Sequence, residues 1–220
     1  MKKTLTAVLI GIILIFFLLP NLSLASGISK KGIKVGLDFA KLHGKHVEDL
    51  EDFLEEDVES RTGFCVGFYL TYSISEMFAI QPEILFTTKG ATYQEEIYDV
   101  TLKASVNLSY IDIPVLAKLL IPTQSSIKPS IFAGPYVGIN LSGKSRIEID
   151  GEAEEEDIED LKDYDLGLII GGDIDFKPAF LGKGSITVDI RYALGLTTLS
   201  EEEDVDVKNG VILLMIGYNF

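Results

Sequence analysis

From residue 31 onward, apolar and polar positions alternate in blocks separated by polar stretches. In "KGIKVGLDFAKL", Ile33, Val35, Leu37 and Phe39 share one face, and Lys34, Gly36, Asp38 and Ala40 share the other. The same two-residue period recurs in "TGFCVGFYLTYSI", "MFAIQPEILFTTKG" and "LSYIDIPVLAKLLI". It continues through "PSIFAGPYVGINLS", "DLGLIIGGDIDF" and "SITVDIRYALGL" to the closing "VILLMIGYNF". Strict alternation predicts β-strands. Eight such blocks of about ten residues each have the length of tilted strands that cross a bilayer.

The connections alternate as well. "SISE", "PTQSSIK" and "KPAFLGKG" are short, whereas the other links are long and hold most of the acids. Short turns on one side and long polar loops on the other predict an all-β, eight-stranded antiparallel up-and-down transmembrane β-barrel. With both termini on the short-turn side, an even number of strands closes the sheet without an edge.

Eight glycines (36, 67, 134, 138, 167, 171, 195 and 217) fall on the face opposite the aromatics, as the narrow lumen of a small barrel requires. Pro82, Pro114 and Pro135 suit central strands poorly and are expected at bulges or breaks of register. A soluble lipocalin-like barrel is the structural alternative. It would need its large apolar side chains inside, where the glycines and charges fall here.

The chain opens "MKKTLTAVLIGIILIFFLLPNLSLASG": a basic start, an apolar run, then Ser23-Leu24-Ala25. This predicts a secretory signal peptide over 1–25, cleaved after Ala25, with the barrel domain in 26–220. Loss of Lys2 and Lys3 takes the formal charge from −15 to −17. So acidic a chain repels nucleic acid, which is excluded as a partner. The single cysteine, Cys65, leaves no intramolecular disulfide to form.

The ionisable residues of the inner face are Lys34, Asp38, Glu83, Asp112, Lys118, Asp173, Asp175, Asp189 and Arg191. Charges in a narrow lumen must pair or hydrate. The expectation is a polar network of Asp38, Glu83, Asp112, Asp189 and Arg191, centred on Arg191 with Glu83 and Asp112 as its partners. Eight strands leave room for little more than side chains, so the network is read as filling the barrel rather than gating it.

Three acidic stretches, "HVEDLEDFLEEDVES", "IEIDGEAEEEDIEDLKDYD" and "SEEEDVDV", are placed outside the membrane. The first can form a short amphipathic helix through Val47, Leu50, Phe53, Leu54 and Val58. "DGEAEEED" lacks the spaced ligands of an EF-hand, so neither a metal nor any cofactor is expected. No nucleophile shares a motif with His43 or His46. Ser105 and Ser109 have no histidine that the sequence can place beside them, and Cys65 has no cationic neighbour in sequence. The chain is therefore not expected to be an enzyme.

Several blocks also resemble the PorT-like outer-membrane β-barrel family, whose members are named as porins or outer-membrane β-barrel proteins. "QPEILF", "IPVLAK" and "FAGPY" are the most specific, and "GIKVGLDFAKL", "DLGLIIGGDIDF" and "MIGYNF" support them in order. The resemblance implies an eight-stranded barrel in the outer membrane of a Gram-negative-type envelope, and it supplies no catalytic motif. It also implies that Tyr218 and Phe220 form the terminal aromatic signal read by the barrel assembly machinery.

The expected partners are outer-membrane lipid, that machinery during insertion, and a surface partner at the acidic loops, with the protein monomeric. The expected role is envelope structure, surface interaction or adhesion. A narrow ion or small-solute pore and an accessory of protein export are the alternatives.

Overall fold

Successive strands pair with their neighbours until the last returns to the first. The computed structural model describes residues 28–54, 59–97, 100–150, 152–158, 160–178, 184–202 and 204–220. The expected signal peptide, 1–25, lies outside the described residues. In chain order the elements are β1 (Ile28–His43), α1 (Lys45–Leu54), β2 (Glu59–Ser73), β3 (Phe78–Ile97) and β4 (Val100–Leu120). They continue with β5 (Ile127–Ile149), β6 (Glu152–Asp157), β7 (Tyr164–Phe176), β8 (Ser185–Gly195) and β9 (Lys208–Asn219).

The sheet runs β4-β3-β2-β1-β9-β8-β7-β5, and a further β4–β5 pairing closes the ring. All pairings are antiparallel. Eight strands make the barrel, and β6 pairs only with the outer half of β5. Closure leaves no unpaired ladder at membrane depth, as hydrocarbon demands.

The alternation sorts the faces as expected. Ile33, Val35, Phe68, Ile170, Ile190 and Ile216 are exposed to lipid, while Lys34, Glu83, Asp189 and Arg191 are buried inside. Two aromatic girdles bound this belt. Tyr72, Phe78, Tyr218 and Phe220 ring the short-turn, periplasmic end, and Phe39, Phe64, Tyr164 and Tyr192 ring the outer end. The lipocalin alternative fails on this sorting.

Glycine is required where walls and side chains approach closely. A Cβ on Gly171 would sit 2.6 Å from the Cβ of Arg191 and 2.8 Å from the Phe132 ring. Gly90, with φ of +131°, lies in a region that L side chains rarely adopt, hard against the Val106 carbonyl.

Two expectations are corrected. The prolines are not at bulges: the register passes unbroken through all three. Each instead drops two consecutive pairs from a single ladder, Pro82 from β2–β3, Pro114 from β3–β4 and Pro135 from β4–β5. Proline lacks only the N–H aimed at one neighbour, so the loss is one-sided and the strand continues. The register shifts fall elsewhere, near Ile28–Lys30, between Ser60 and Cys65, and at Ser109–Tyr110.

The second correction concerns two of the outer loops. Residues 91–97 and 100–107, and in the acidic stretch that follows residues 147–149 and 152–157, form paired strand rather than loop. β3, β4 and β5 run beyond the belt, and β5 and β6 form a further hairpin. Here the polarity inverts. Thr92, Ser105, Asn107, Lys144 and Arg146 line a groove on the wall, while Ala91, Val106 and Leu108 belong to apolar clusters on the other face.

Candidate functional site: the lumen and its outer mouth

The lumen is filled by side chains bonded to one another in tiers. At the periplasmic end, Asp175 accepts hydrogen bonds from Ser185 (3.1 Å), Thr187 (3.1 Å) and Asn219 (3.0 Å) and pairs with Lys30 at 2.8 Å. Tyr69 donates to the Asn219 side-chain oxygen. Next, Lys118 bonds Asp173 and donates to Gln81 at 3.1 Å. An open vestibule of about 450 Å³ reaches these two tiers from the periplasmic rim.

At mid-height sits a quartet drawn from three strands. Arg191 of β8 donates through Nη1 and Nη2 to Glu83 of β3 at 2.7 and 3.2 Å. Its Nε donates to Asp189 at 2.8 Å. Lys34 of β1 donates to Glu83 at 3.0 Å and to Asp189 at 2.7 Å. All four side chains are fully buried. Two cations and two carboxylates cancel, and the forked guanidinium engages both acids at once. This compensation is what a buried charge needs.

A fourth tier lies farther out. Lys89 donates to Asp112 at 3.0 Å and to Asp165 at 3.3 Å, with its ammonium 4.6 Å from the Tyr110 ring centre and 4.8 Å from that of Tyr136. Tyr136 and Asn209 also donate to Asp165, at 2.9 and 3.0 Å.

Of the five network residues expected from sequence, the structure brings Glu83, Asp189 and Arg191 together. Asp112 does not reach Arg191: it lies higher, bound to Lys89 and Thr87. On β4 it sits six residues outward of Lys118, whereas Glu83 on β3 is the inner residue level with Arg191. Asp38 stands apart from the other four and accepts from the Thr88 backbone N–H at 3.1 Å.

Lys34, on the inner face but outside the five expected residues, completes the quartet. Lys89 and Asp165 were missed, although each continues the inner-face parity of its block (81, 83, 85, 87, 89 and 165, 167, 169).

Above the fourth tier the mouth is capped by apolar side chains. Val47 of α1 packs with Ala91, Leu42 and Val207, and Leu108, Tyr110 and Leu199 pack with Val106 and Leu161. Val47 is thus the inward anchor of the helix, whereas Leu50 and Phe53 are exposed, Phe53 to 83%. Val58 lies outside the described residues.

A clasp fixes the start of α1. The Lys45 N–H donates to the Asp206 carboxylate (3.4 Å), the Asp206 N–H donates to His46 Nδ1 (2.9 Å), and Lys208 pairs with Asp206 (2.6 Å). The Lys208 hydrogen bond, then that of Lys45, holds the Asp206 carboxyl below its ordinary 3.8.

The residues weighed for catalysis do not converge. Ser105 lines the outer wall, Cys65 is buried in the lumen, and His43 bonds the Asn209 carbonyl at 3.2 Å. Among the described residues no cluster of His, Cys, Asp or Glu is arranged to hold a metal ion.

Among solved structures the chain is similar to Ail of Yersinia pestis, at 14% identity over 89% of this chain and 100% of that one, with a TM-score of 0.39. It is similar also to Neisserial surface protein A, at 14% identity over 86% and 97%, with a TM-score of 0.44. OprG of Pseudomonas aeruginosa shares 13% identity over 87% and 93%, with a TM-score of 0.41. No curated protein matches the sequence. Residues 29–201 match the family described as outer membrane protein beta-barrel domain. With a lipid-facing belt, two girdles and a closed eight-stranded ring, the chain belongs to that family and is a β-barrel of the outer membrane.

Proposed function

We propose that this barrel is a non-enzymatic surface protein that anchors its outer elements in the membrane and conducts no solute. Its role is envelope structure, surface interaction or adhesion, exercised as a monomer through the acidic elements outside. The single observation behind this reading is the quartet of Lys34, Glu83, Asp189 and Arg191, which spans the lumen and is fully buried. Moving an ion past it means separating buried, hydrogen-bonded charges, which costs several kcal/mol for each broken pair. Planar-bilayer recording tests this: wild type should give no resolved channels, and Arg191→Ala should leak. Well-resolved wild-type openings that change with Arg191→Ala would make the chain a pore.

A narrow pore is the second reading, favoured by the vestibule of about 450 Å³ that opens the lower lumen. The finer resemblance to the PorT-like group carries a third reading, an accessory of protein export. Crosslinking to export partners in intact cells separates it from the first. In all three, Tyr218 and Phe220 act as the assembly signal; the exposed Phe220 ring beside Tyr218 at the periplasmic girdle suits that use.

A further inference from the structure

β6 leaves one edge of the outer sheet open. The strand pairs with β5 on one side and, among the described residues, with nothing on the other. Every residue of Glu152–Asp157 is exposed. Free sheet edges are commonly blunted by a proline or a bulge. Neither is present here: the register runs unbroken from Lys144 opposite Asp157 to Ile149 opposite Glu152.

The same register shows which backbone groups stand free. Opposite residues of an antiparallel pair alternate between exchanging both hydrogen bonds and exchanging none. The Ile158 N–H donates to the Gly143 carbonyl at 3.0 Å, and these two residues continue the β5–β6 register. Counting toward the turn by twos, Ser145–Glu156, Ile147–Glu154 and Ile149–Glu152 are the bonded pairs. The turn agrees. Only residues 150 and 151 separate Ile149 from Glu152, and Asp150 has φ of +50°, as a tight two-residue hairpin closed by a bonded pair requires. The N–H and C=O of Ala153, Glu155 and Asp157 therefore point away from β5, into the open edge.

Charge decides what can fill that edge. An added strand would run along "EAEEED", with Ala153, Glu155 and Asp157 beside it on one face and the other three glutamates on the opposite face. Of these acids only Glu155 forms an ion pair among the described residues, with Lys144, and both side chains of that pair stay exposed. Opposite charges across a strand pair attract and like charges repel. A second copy of β6 would set acid against acid, so the edge does not propagate from barrel to barrel. A strand rich in lysine and arginine meets carboxylates on both of its faces.

We propose that β6 is a docking edge for an extended Lys/Arg-rich segment of a partner protein, which joins the outer sheet as a further strand. Backbone bonds at Ala153, Glu155 and Asp157 hold the segment, and the flanking acids select it. This rests on the surface-interaction reading above and names the chemistry of the partner.

The test uses the full barrel in zwitterionic detergent and a peptide of about eight residues that alternates lysine and threonine. On binding, amide hydrogen exchange should slow about tenfold or more at Ala153, Glu155 and Asp157. It should hardly change at Glu154 and Glu156, whose N–H groups β5 already holds. Ala153→Pro removes a free donor and no bond to β5, and should weaken binding about tenfold. Glu152→Gln/Glu154→Gln/Glu156→Gln should weaken it as much and reduce its salt dependence. Glu201→Gln/Glu202→Gln, in another outer loop, should bind as wild type does. No binding of the lysine peptide, or equal binding of a glutamate–threonine peptide, would overturn the proposal. So would equal binding of a lysine–threonine peptide N-methylated at every residue, or binding without the alternating protection, since either would leave charge attraction alone. Should Ala153→Pro open the hairpin, seen as lost protection at Glu154 and Glu156, the exchange pattern of wild type decides. None of these outcomes alters the bilayer recordings, so the edge and the sealed lumen fail separately.

Discussion

Arg191 has the most to lose of any side chain in the barrel. It is fully buried, forks onto two carboxylates and lies 5.0 Å from the centre of the Phe132 ring. Arg191→Ala leaves Glu83 and Asp189 with only Lys34, an uncompensated buried charge expected to cost about 3–5 kcal/mol. Urea unfolding in detergent, followed by the heat-dependent gel shift, should show that loss; a change below about 1 kcal/mol would mean that water substitutes for the guanidinium. That Arg191 and Glu83 face inward was legible from period-two parity alone. Which inner residue meets which was not, because the partner of Arg191 depends on barrel stagger and strand order across the lumen. Asp112 shares the parity of Glu83 and differs only in height.

At the level of elements, the eight crossing strands stood out because lipid outside and charge inside give the sharpest alternation a sequence can carry. The outer extensions of β3, β4 and β5 alternate just as well but with inverted sense, so their polar outward residues resemble loop. Proline misled in the other direction, since a strand loses only one ladder bond where its N–H is missing.

The clasp on α1 gives this scale its prediction. A carboxyl whose folded pKa lies below its ordinary 3.8 contributes above that value, and the contribution disappears as the pH falls through the folded pKa. The clasp should therefore hold at neutral pH and release only in strong acid. In a His46→Gln background, which takes the imidazole out of the titration, the backbone amide resonance of Lys45 should stay fixed from pH 7 to about 4 and shift below it. Movement already between pH 6 and 5 would assign the hold to another group. Asp206→Asn should abolish the low-pH shift.

For the whole molecule, insertion depends on the last strand finding the first. β9 pairs with β1 from Asn219 opposite Gly32 to Lys208 opposite His43, and the Phe220 N–H donates to the Lys31 carbonyl at 3.0 Å. Deleting Phe220, or appending a charged tail to it, should lower the fraction of heat-modifiable barrel in outer-membrane fractions. Undiminished assembly would refute a signalling role for this end.

The quartet at mid-lumen also bears on the order of events during assembly. Its members come from β1, β3 and β8, near both ends of the spanning sequence and in between. Until the ring shuts, Lys34 and Glu83 can meet but Arg191 and Asp189 arrive too late to neutralise them. A half-built sheet therefore turns bare charge toward hydrocarbon, and only the finished ring is electrically quiet. The quartet acts as a latch that rewards completion alone, making partial barrels the least tolerable state on the route into the membrane.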